Sequence, residues 1–538
     1  MFLKQSNQIA FFILKELLND TEGETKMKKK LLAVIFLLTF ALLLGGTKAI
    51  KSETSSETKL KDTLVIAQKA EIKTLDPQKS TDSVSNKIIQ LMFDTLITMD
   101  KDLNLLPGLA ESWESIDPLN TVFHLKKNVK FHNGDIMTAE DVKFSLDRAR
   151  SLPQCAYNFT PIKEVTVIDE NTIKITTDTP FGSLLNQLSI TNSSIINKKL
   201  VEASEDVFLT NPVGTGQFKF KSWDIGNRLT MERFDDYYGT ISKLKEVVIK
   251  FITENNSRMI MLETGEADIS LDMGVMDLKS IKNNNSLDYI EVEAPTSQFV
   301  GFDTKNELLK DKRVRQAIAY AIDNRAITQA IYGDSATPGT SVVPPAMTDF
   351  NPDAKKYDLN IAKAKELLTE AGYPNGFNID LWVSDDSARI DACVIIQEQL
   401  REIGINTEIK VFQWATYIKM IENENEVKPI FYMSWNTANG DCDKTMYPLF
   451  HSSQIKGSMN VTAFVNKDLD DTLDKARITM DPKVRKELYG KAQEILQEEL
   501  PHYTILYPKL NLGMRKNIHN LIMKNNGYLD LTNVYVTE

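Results

Sequence analysis

The sequence predicts an α/β protein of at least two lobes, on three observations. The chain has 538 residues, more than a single hydrophobic core usually organises. In its second half, amphipathic helices, glycine stops and alternating strands follow one another closely, the order that builds helix-covered sheets. In its first half, short alternating runs bracket polar turns and read as strands and hairpins.

Leu64 to Ala67 is a short apolar strand, and Leu75-Asp76-Pro77 closes the loop after the next segment. Thr121, Phe123 and Leu125 alternate, Val129 and Phe131 resume the alternation, and Lys127-Asn128 lies between them, which predicts a hairpin with one apolar face. His132-Asn133-Gly134 breaks the second strand. Thr138 stands three residues before Asp141, with Val142, Leu146 and Ala149 behind at helical spacing, a capping box opening an amphipathic helix. A second hairpin carries Val165 and Val167, then Ile173 and Ile175, on either side of Asp169-Glu170-Asn171. Asn211 to Gly216 reads as a tight turn into a strand bearing Phe218 and Phe220. It lacks the later glycine of a dinucleotide fingerprint and the Gly-Lys of a phosphate loop.

Further on, Val314, Ala317, Ile318, Ala321 and Ile322 form one helical face. Asn360 caps a helix whose apolar face is Ile361, Ala364, Leu368 and Ala371, stopped by Gly372 and Pro374. Cys393, Ile396, Leu400 and Ile403 repeat that spacing up to Gly404, and Ile405, Thr407, Ile409 and Val411 then alternate as a strand. Val484, Leu488, Ala492 and Ile495 mark the apolar face of a late helix. There is no internal repeat and no low-complexity tract.

Lys28 to Lys30, the apolar run Leu31 to Leu44 and the small residues up to Ala49 compose a signal peptide over 27–49, with 1–26 as an upstream extension and Met27 the expected start. No cysteine closes the apolar run, so a free periplasmic protein is expected rather than a lipid-anchored one. Cys155, Cys393 and Cys442 allow at most one disulfide, too few for a framework. A net charge of −11 argues against nucleic acid and anionic membrane as partners. The five histidines show no zinc-binding spacing, and Ser183 in Phe-Gly-Ser is no nucleophile elbow, so neither metal catalysis nor a hydrolase triad finds material.

The run Pro107 to Leu146, PGLAESWESIDPLNTVFHLKKNVKFHNGDIMTAEDVKFSL, resembles the signature of the family 5 extracellular solute-binding proteins, which carry peptides, nickel or haem to ABC importers. NPVGTGQFKF at 211–220, MERFDDYYG at 231–239, LETGEADI at 262–269, VRQAIAYAID at 314–323, AGYPNGF at 371–377, FQWATY at 412–417 and MYPLFHSS at 446–453 follow in the family's order. The wording is nearest the glutathione- and dipeptide-binding branch. The resemblance implies a two-lobed periplasmic-binding-protein fold of the large cluster, with an extra subdomain. Residues 60–298 plus 508–538 would form the first lobe, about 106–210 the insert and 299–507 the second lobe, with crossing strands as the hinge. It further implies a monomer without catalysis, cofactor or resident metal, which captures a small peptide and delivers it to two permease subunits and their ATPases.

By the same resemblance, Thr81, Asp82 and Ser83 lie in a loop near the ligand, and Trp435, Asn436, Thr437 and Asn439 line the cleft. Asp441 pairs with a ligand ammonium, Arg389 with a carboxylate, and Trp414 and Tyr417 stack on the solute. Each has a plainer alternative: a surface turn for 435–441, a solvated helix-start charge for Arg389, core packing for Trp414 and Tyr417. The aspartate and arginine that hold a dipeptide's termini in the family fall at Ala438 and Val383 here. The ligand therefore stays open between a glutathione-like peptide, an ordinary di- or oligopeptide, and a nickel chelate or haem. Asp441 and Asp443 flank Cys442 and would raise its pKa, against a mixed disulfide with glutathione.

Overall fold

Strand β1 (Thr63–Gln68) forms where the apolar run Leu64 to Ala67 lies, with Leu64 and Ile66 buried. The computed structural model describes residues 59–437, 439–456 and 459–538. The extension, the signal segment and Ala438 lie outside the described residues. Residues Lys61–Val536 form one contiguous unit.

A four-stranded antiparallel sheet comes next, from β2 (Ala110–Asp117), β3 (Asn120–Leu125), β4 (Ile162–Asp169) and β5 (Thr172–Thr177), in the order β2-β3-β5-β4. Helix α1 (Ala139–Ser151) covers it, burying Val142, Leu146 and Ala149. The predicted hairpin at 162–177 forms, but the one at 121–131 does not. The partners of β3 are β2 and β5, while Val129 and Phe131 are buried in an irregular segment with a single bridge, Lys130 to Ile136. The alternation reported burial correctly and pairing wrongly. Asn128 turns the chain at φ 59°, and the His132 N–H bonds to Gly214 O rather than to a ladder.

The capping box of α1 is present. Asp141 Oδ2 accepts from the Thr138 N–H and hydroxyl at 2.9 Å each, and Oδ1 accepts from the Lys198 N–H at 3.0 Å. Asp141→Ala should cost about 1–3 kcal/mol, because it strands three donors in a buried position. Urea denaturation would show this as a lowered midpoint with the slope unchanged.

Beyond the insert the first sheet resumes with β6 (Phe218–Asp224), β7 (Arg228–Arg233), β8 (Glu246–Phe251), β9 (Ile269–Leu271) and β10 (Leu287–Glu293). β1 runs parallel to β8 and β9. The other half of the molecule starts at β11 (Thr296–Phe302), followed by α2 (Lys312–Ala321), α3 (Ile361–Glu370), β12 (Phe377–Ser384), α4 (Ser387–Arg401), β13 (Ile405–Phe412), α5 (Trp414–Ile421), β14 (Ile430–Asn436), α6 (Pro482–Glu499) and β15 (His502–Arg515). Asn360 accepts from the Lys363 N–H at 3.0 Å, capping α3 as its sequence predicts. Gly404 sits at φ 83°, a conformation that costs other residues a Cβ clash, and so turns the chain from α4 into β13. β12, β13 and β14 are mutually parallel, as expected for strands joined through covering helices.

One twelve-stranded sheet results, with its main path β13-β12-β14-β11-β15-β9-β1-β8-β7-β6. β15 ties its halves together: residues 502–506 pair with β11 and residues 509–515 with β10. Two strand segments, 287–302 and 502–515, therefore cross between two cores. One core draws on residues 64 to 292 and again 510 to 536, the other on residues 300 to 506. The architecture is two-lobed and α/β, with a large mixed sheet.

The late helix α6 is rotated from its predicted face. It buries Arg485, Tyr489, Ala492 and Leu496, and leaves Val484 at 45 % exposure. Hydropathy alone favours valine over arginine at a buried position; a buried carboxylate reverses that preference.

Candidate functional site

In the second core, the parallel strands β12 and β14 end at Ser384 and at Ser434 to Asn436. The antiparallel β11 begins on that same edge, pairing Thr296 with Asn436 and Gln298 with Ser434. The carboxyl edge of a parallel sheet is where α/β folds present ligand-contacting side chains, because the covering loops open there. The chain also crosses between the two cores at this edge.

Arg389 reaches this edge from the first turn of α4. Its guanidinium donates to Ser434 Oγ at 2.9 Å and Ser384 Oγ at 3.4 Å, and lies 5.5 Å from the centre of the Trp414 ring. None of these partners is anionic, so the cation keeps hydrogen-bonding capacity for an incoming anion. Trp414 is 45 % exposed and offers that anion's carrier an aromatic face. Behind Arg389 runs a polar chain: Tyr432 Oη donates to Gln298 Oε1 at 2.9 Å, and Gln298 Nε2 donates to Tyr332 Oη at 3.0 Å. Asn436 is exposed and donates to Thr296 Oγ1 at 2.7 Å, and the half-buried Trp435 holds a buried indole N–H that has no acceptor among the described residues.

The next residues turn inward. Thr437, Asn439 and Asp441 are all buried, and Gly440 at φ 67° closes the turn with a Cβ position 3.1 Å from Leu103 Cβ. The Asp441 carboxylate is already saturated. Arg485 Nη1 donates to Oδ2 and Nη2 to Oδ1, each at 2.7 Å, while Ser183 Oγ and the Asp443 N–H also donate to Oδ1 at 3.0 and 2.8 Å. Burial opposes ionisation there, and the Arg485 charge and these bonds outweigh it and hold the carboxyl below the usual range. Asp441 is thus an internal counter-ion in this structure, with no charge to spare for a ligand ammonium. Thr437 shares its hydroxyl with Thr445, and Asn439 accepts from the Asp441 N–H at 3.2 Å, so these two support the turn.

The same turn meets the core built from residues 96 to 213. Arg485 Nη2 donates to Ser183 Oγ at 2.6 Å, Asn186 Nδ2 to Asn439 O at 3.1 Å, and Lys444 Nζ to Asn158 Oδ1 at 2.6 Å. Tyr417 is fully buried and donates to Tyr432 O at 2.7 Å, a core plug rather than a stacking surface. Asp82 is spent on its own helix, accepting from the Ser85 N–H at 2.9 Å, while Thr81 and Ser83 are exposed beside it. The structure therefore gathers Arg389, Trp414, Trp435 and Asn436 at one edge. Thr437, Asn439, Asp441 and Tyr417 point into the protein, and Thr81 to Ser83 stand on the other core.

Sequence reasoning did not find Gln298, Tyr332, Ser384, Ser434 or Arg485. One of them had a visible signal, a lone polar residue inside an apolar run: Ser434 in FYMSW. Cys155, Cys393 and Cys442 are all buried and free. Burial pushes the Cys155 thiol up to about 11 and raises the Cys442 thiol well above its ordinary value. A thiol reagent such as Ellman's should therefore leave all three unmodified in the native protein and titrate all three in denaturant.

The sequence matches the bacterial extracellular solute-binding proteins, family 5, over residues 104–457. It is 29 % identical to the glutathione-binding protein GsiB of Salmonella choleraesuis, over 86 % of this chain and 93 % of that protein. Among solved structures, HbpA2 from Haemophilus parasuis superposes with a TM-score of 0.82 at 26 % identity, covering 88 % of this chain and all of that one. The Helicobacter pylori periplasmic binding protein DppA, in complex with the peptide STSA, superposes with a TM-score of 0.75 at 26 % identity, over 90 % and 99 % of the chains.

Proposed function

We propose, since this chain belongs to the bacterial extracellular solute-binding proteins of family 5, that it is the substrate-binding subunit of an ABC importer and takes up a small anionic peptide of the glutathione kind. The observation that carries the ligand class is the charge pattern at the strand-end edge. The Arg389 guanidinium bonds only to serines and lies on Trp414, the Asp386 carboxylate accepting from its backbone N–H instead, whereas Asp441 is neutralised by Arg485. A guanidinium with no carboxylate bonded to it favours a ligand with more carboxylates than ammoniums, as glutathione has, over a dipeptide with one of each. The GsiB relative's own ligand points the same way.

In this reading residues 60–298 with 508–538 and residues 299–507 are the two lobes, with about 106–210 as the insert. The two separate cores and the crossing strands at 287–302 and 502–515 support this division. Capture works through differential contacts. A ligand carboxylate on Arg389 and its remaining polar groups on the facing lobe make the closed arrangement more stable with ligand than without it. Each ligand charge loses water on closure, at several kcal/mol unless a protein group replaces it. The closed form then docks on two permease subunits and their ATPases after export to the periplasm, as a monomer, with no covalent chemistry.

Calorimetric titration with reduced glutathione, oxidised glutathione, Ala-Ala and a pentapeptide tests the reading. Reduced glutathione should bind at micromolar dissociation constant or tighter, and Ala-Ala about ten-fold or more weakly than that. Saturation by a nickel–histidine chelate and by none of the four peptides would refute it.

A further inference from the structure

A cavity of about 560 Å³ lies away from the strand-end edge. It lies where the core of residues 96–213 meets the C-terminal segment 522–532, and none of Arg389, Trp414 or Trp435 lines it. Its volume is within the range of about 300–1,000 Å³ typical of small-molecule sites. Asp94, Lys126 and Lys524 are among the charged groups that line it.

These charges are held in place without being paired. Asp94 Oδ2 accepts from Thr215 Oγ1 at 3.0 Å, a neutral partner, and burial pushes its carboxyl up to about 6. Lys126 Nζ donates to Gly108 O at 2.5 Å and lies 5.0 Å over the Tyr238 ring. Lys524 Nζ donates to Met99 O at 2.6 Å. An ammonium carries three hydrogens, so one carbonyl leaves donors to spare on each. Burial lowers both lysines' affinity for their protons, the mark of cations withdrawn from water without a sufficient counter-charge. The rim adds Lys101, Asp100 and Asp530, which makes three charges of each sign around the cavity. A purely anionic or purely cationic guest would meet repulsion; a guest bearing both signs would not.

We propose that this cavity is a second ligand site, which takes a single free α-amino acid as its zwitterion, the ammonium on Asp94 and the carboxylate between Lys126 and Lys524. Its side chain then lies against Leu106, Leu529 and Tyr528. Such a guest sets a charge of the opposite sign against Asp94 and against both lysines at once, which water cannot do.

The test is calorimetric titration of the protein with L-alanine, L-leucine, L-glutamine and L-lysine. At least one should saturate below about 1 mM, and its α-hydroxy acid and its amide, each lacking one charge, should bind about ten-fold or more weakly. Asp94→Asn and Lys524→Gln should each weaken that amino acid about ten-fold while leaving glutathione binding unchanged; Arg389→Ala should do the opposite. Circular dichroism checks the fold of each variant, and Lys524→Gln stands by itself should Asp94→Asn not fold. No saturation by any of the four up to about 10 mM would overturn the proposal, as would binding that survives Lys524→Gln or disappears with Arg389→Ala. Glutathione binding reports the cleft in every titration, so failure of one site is separable from failure of the other.

Discussion

Arg485→Ala should lower the folding stability by about 3–5 kcal/mol, the largest single-residue loss expected in the chain, because it leaves the Asp441 carboxylate buried and uncompensated. The pair has side-chain exposures of 10 % and 2 %, so solvent cannot take over the lost contacts. The pH dependence gives the prediction a second readout. The Asp441 carboxyl is held below its usual value in the folded protein, so its contribution is fully present above the unfolded-state value of about 3.9 and is lost as pH falls through the lower folded value. In the variant, desolvation without the arginine pushes the same carboxyl up instead. The stability gap between the two proteins should therefore narrow as pH drops below about 5, measured by urea denaturation at a series of pH values. A gap that stays constant or widens would show that Asp441 is not the group responsible. Ser183, which bonds to both partners from the opposite core, should give a smaller loss as alanine.

Arg389→Ala should weaken reduced glutathione binding about 10- to 100-fold with little effect on stability, since hydrogen bonds to a charged group contribute about 1.5–3 kcal/mol. Arg389→Lys should recover only part of that loss. A lysine keeps the charge but not the planar fork that reaches Ser384 and Ser434 while lying on Trp414. Calorimetry separates the effects: lost affinity with an unchanged melting temperature identifies a ligand contact, whereas a fall in both would make Arg389 a structural residue. Affinity unchanged in Arg389→Ala would move the ligand carboxylate elsewhere and remove the basis for an anionic ligand.

Much of the fold could be read from local pattern. The capping box at Thr138 and Asp141, the cap at Asn360 and the turn at Gly404 each depend on groups within a few residues of one another, and all three formed as read. The hairpin at 121–131 failed because alternation records which side chains face a core, not which strand supplies the hydrogen-bond partner. β3 found its partners at 110–117 and 172–177. At the site, the residue types around 435–441 drew attention to the right segment but not to the direction in which they point. Trp435 and Asn436 finish a strand at the open edge, while Thr437, Asn439 and Asp441 begin the inward turn one residue later.

The sequence by itself determined the alternation of strands and helices, several helix caps and stops, the absence of a disulfide framework and the family, since all of these follow from short-range patterns and their order. Only the tertiary structure decided which charges are free. Asp441 and Arg389 look equally available as letters, and Arg485, more than forty residues past the first, is what separates them by filling one and leaving the other open. The reason is physical: an ionisable group's function depends on its neighbours in space within a few ångströms, and those neighbours come from chain segments that no local pattern connects.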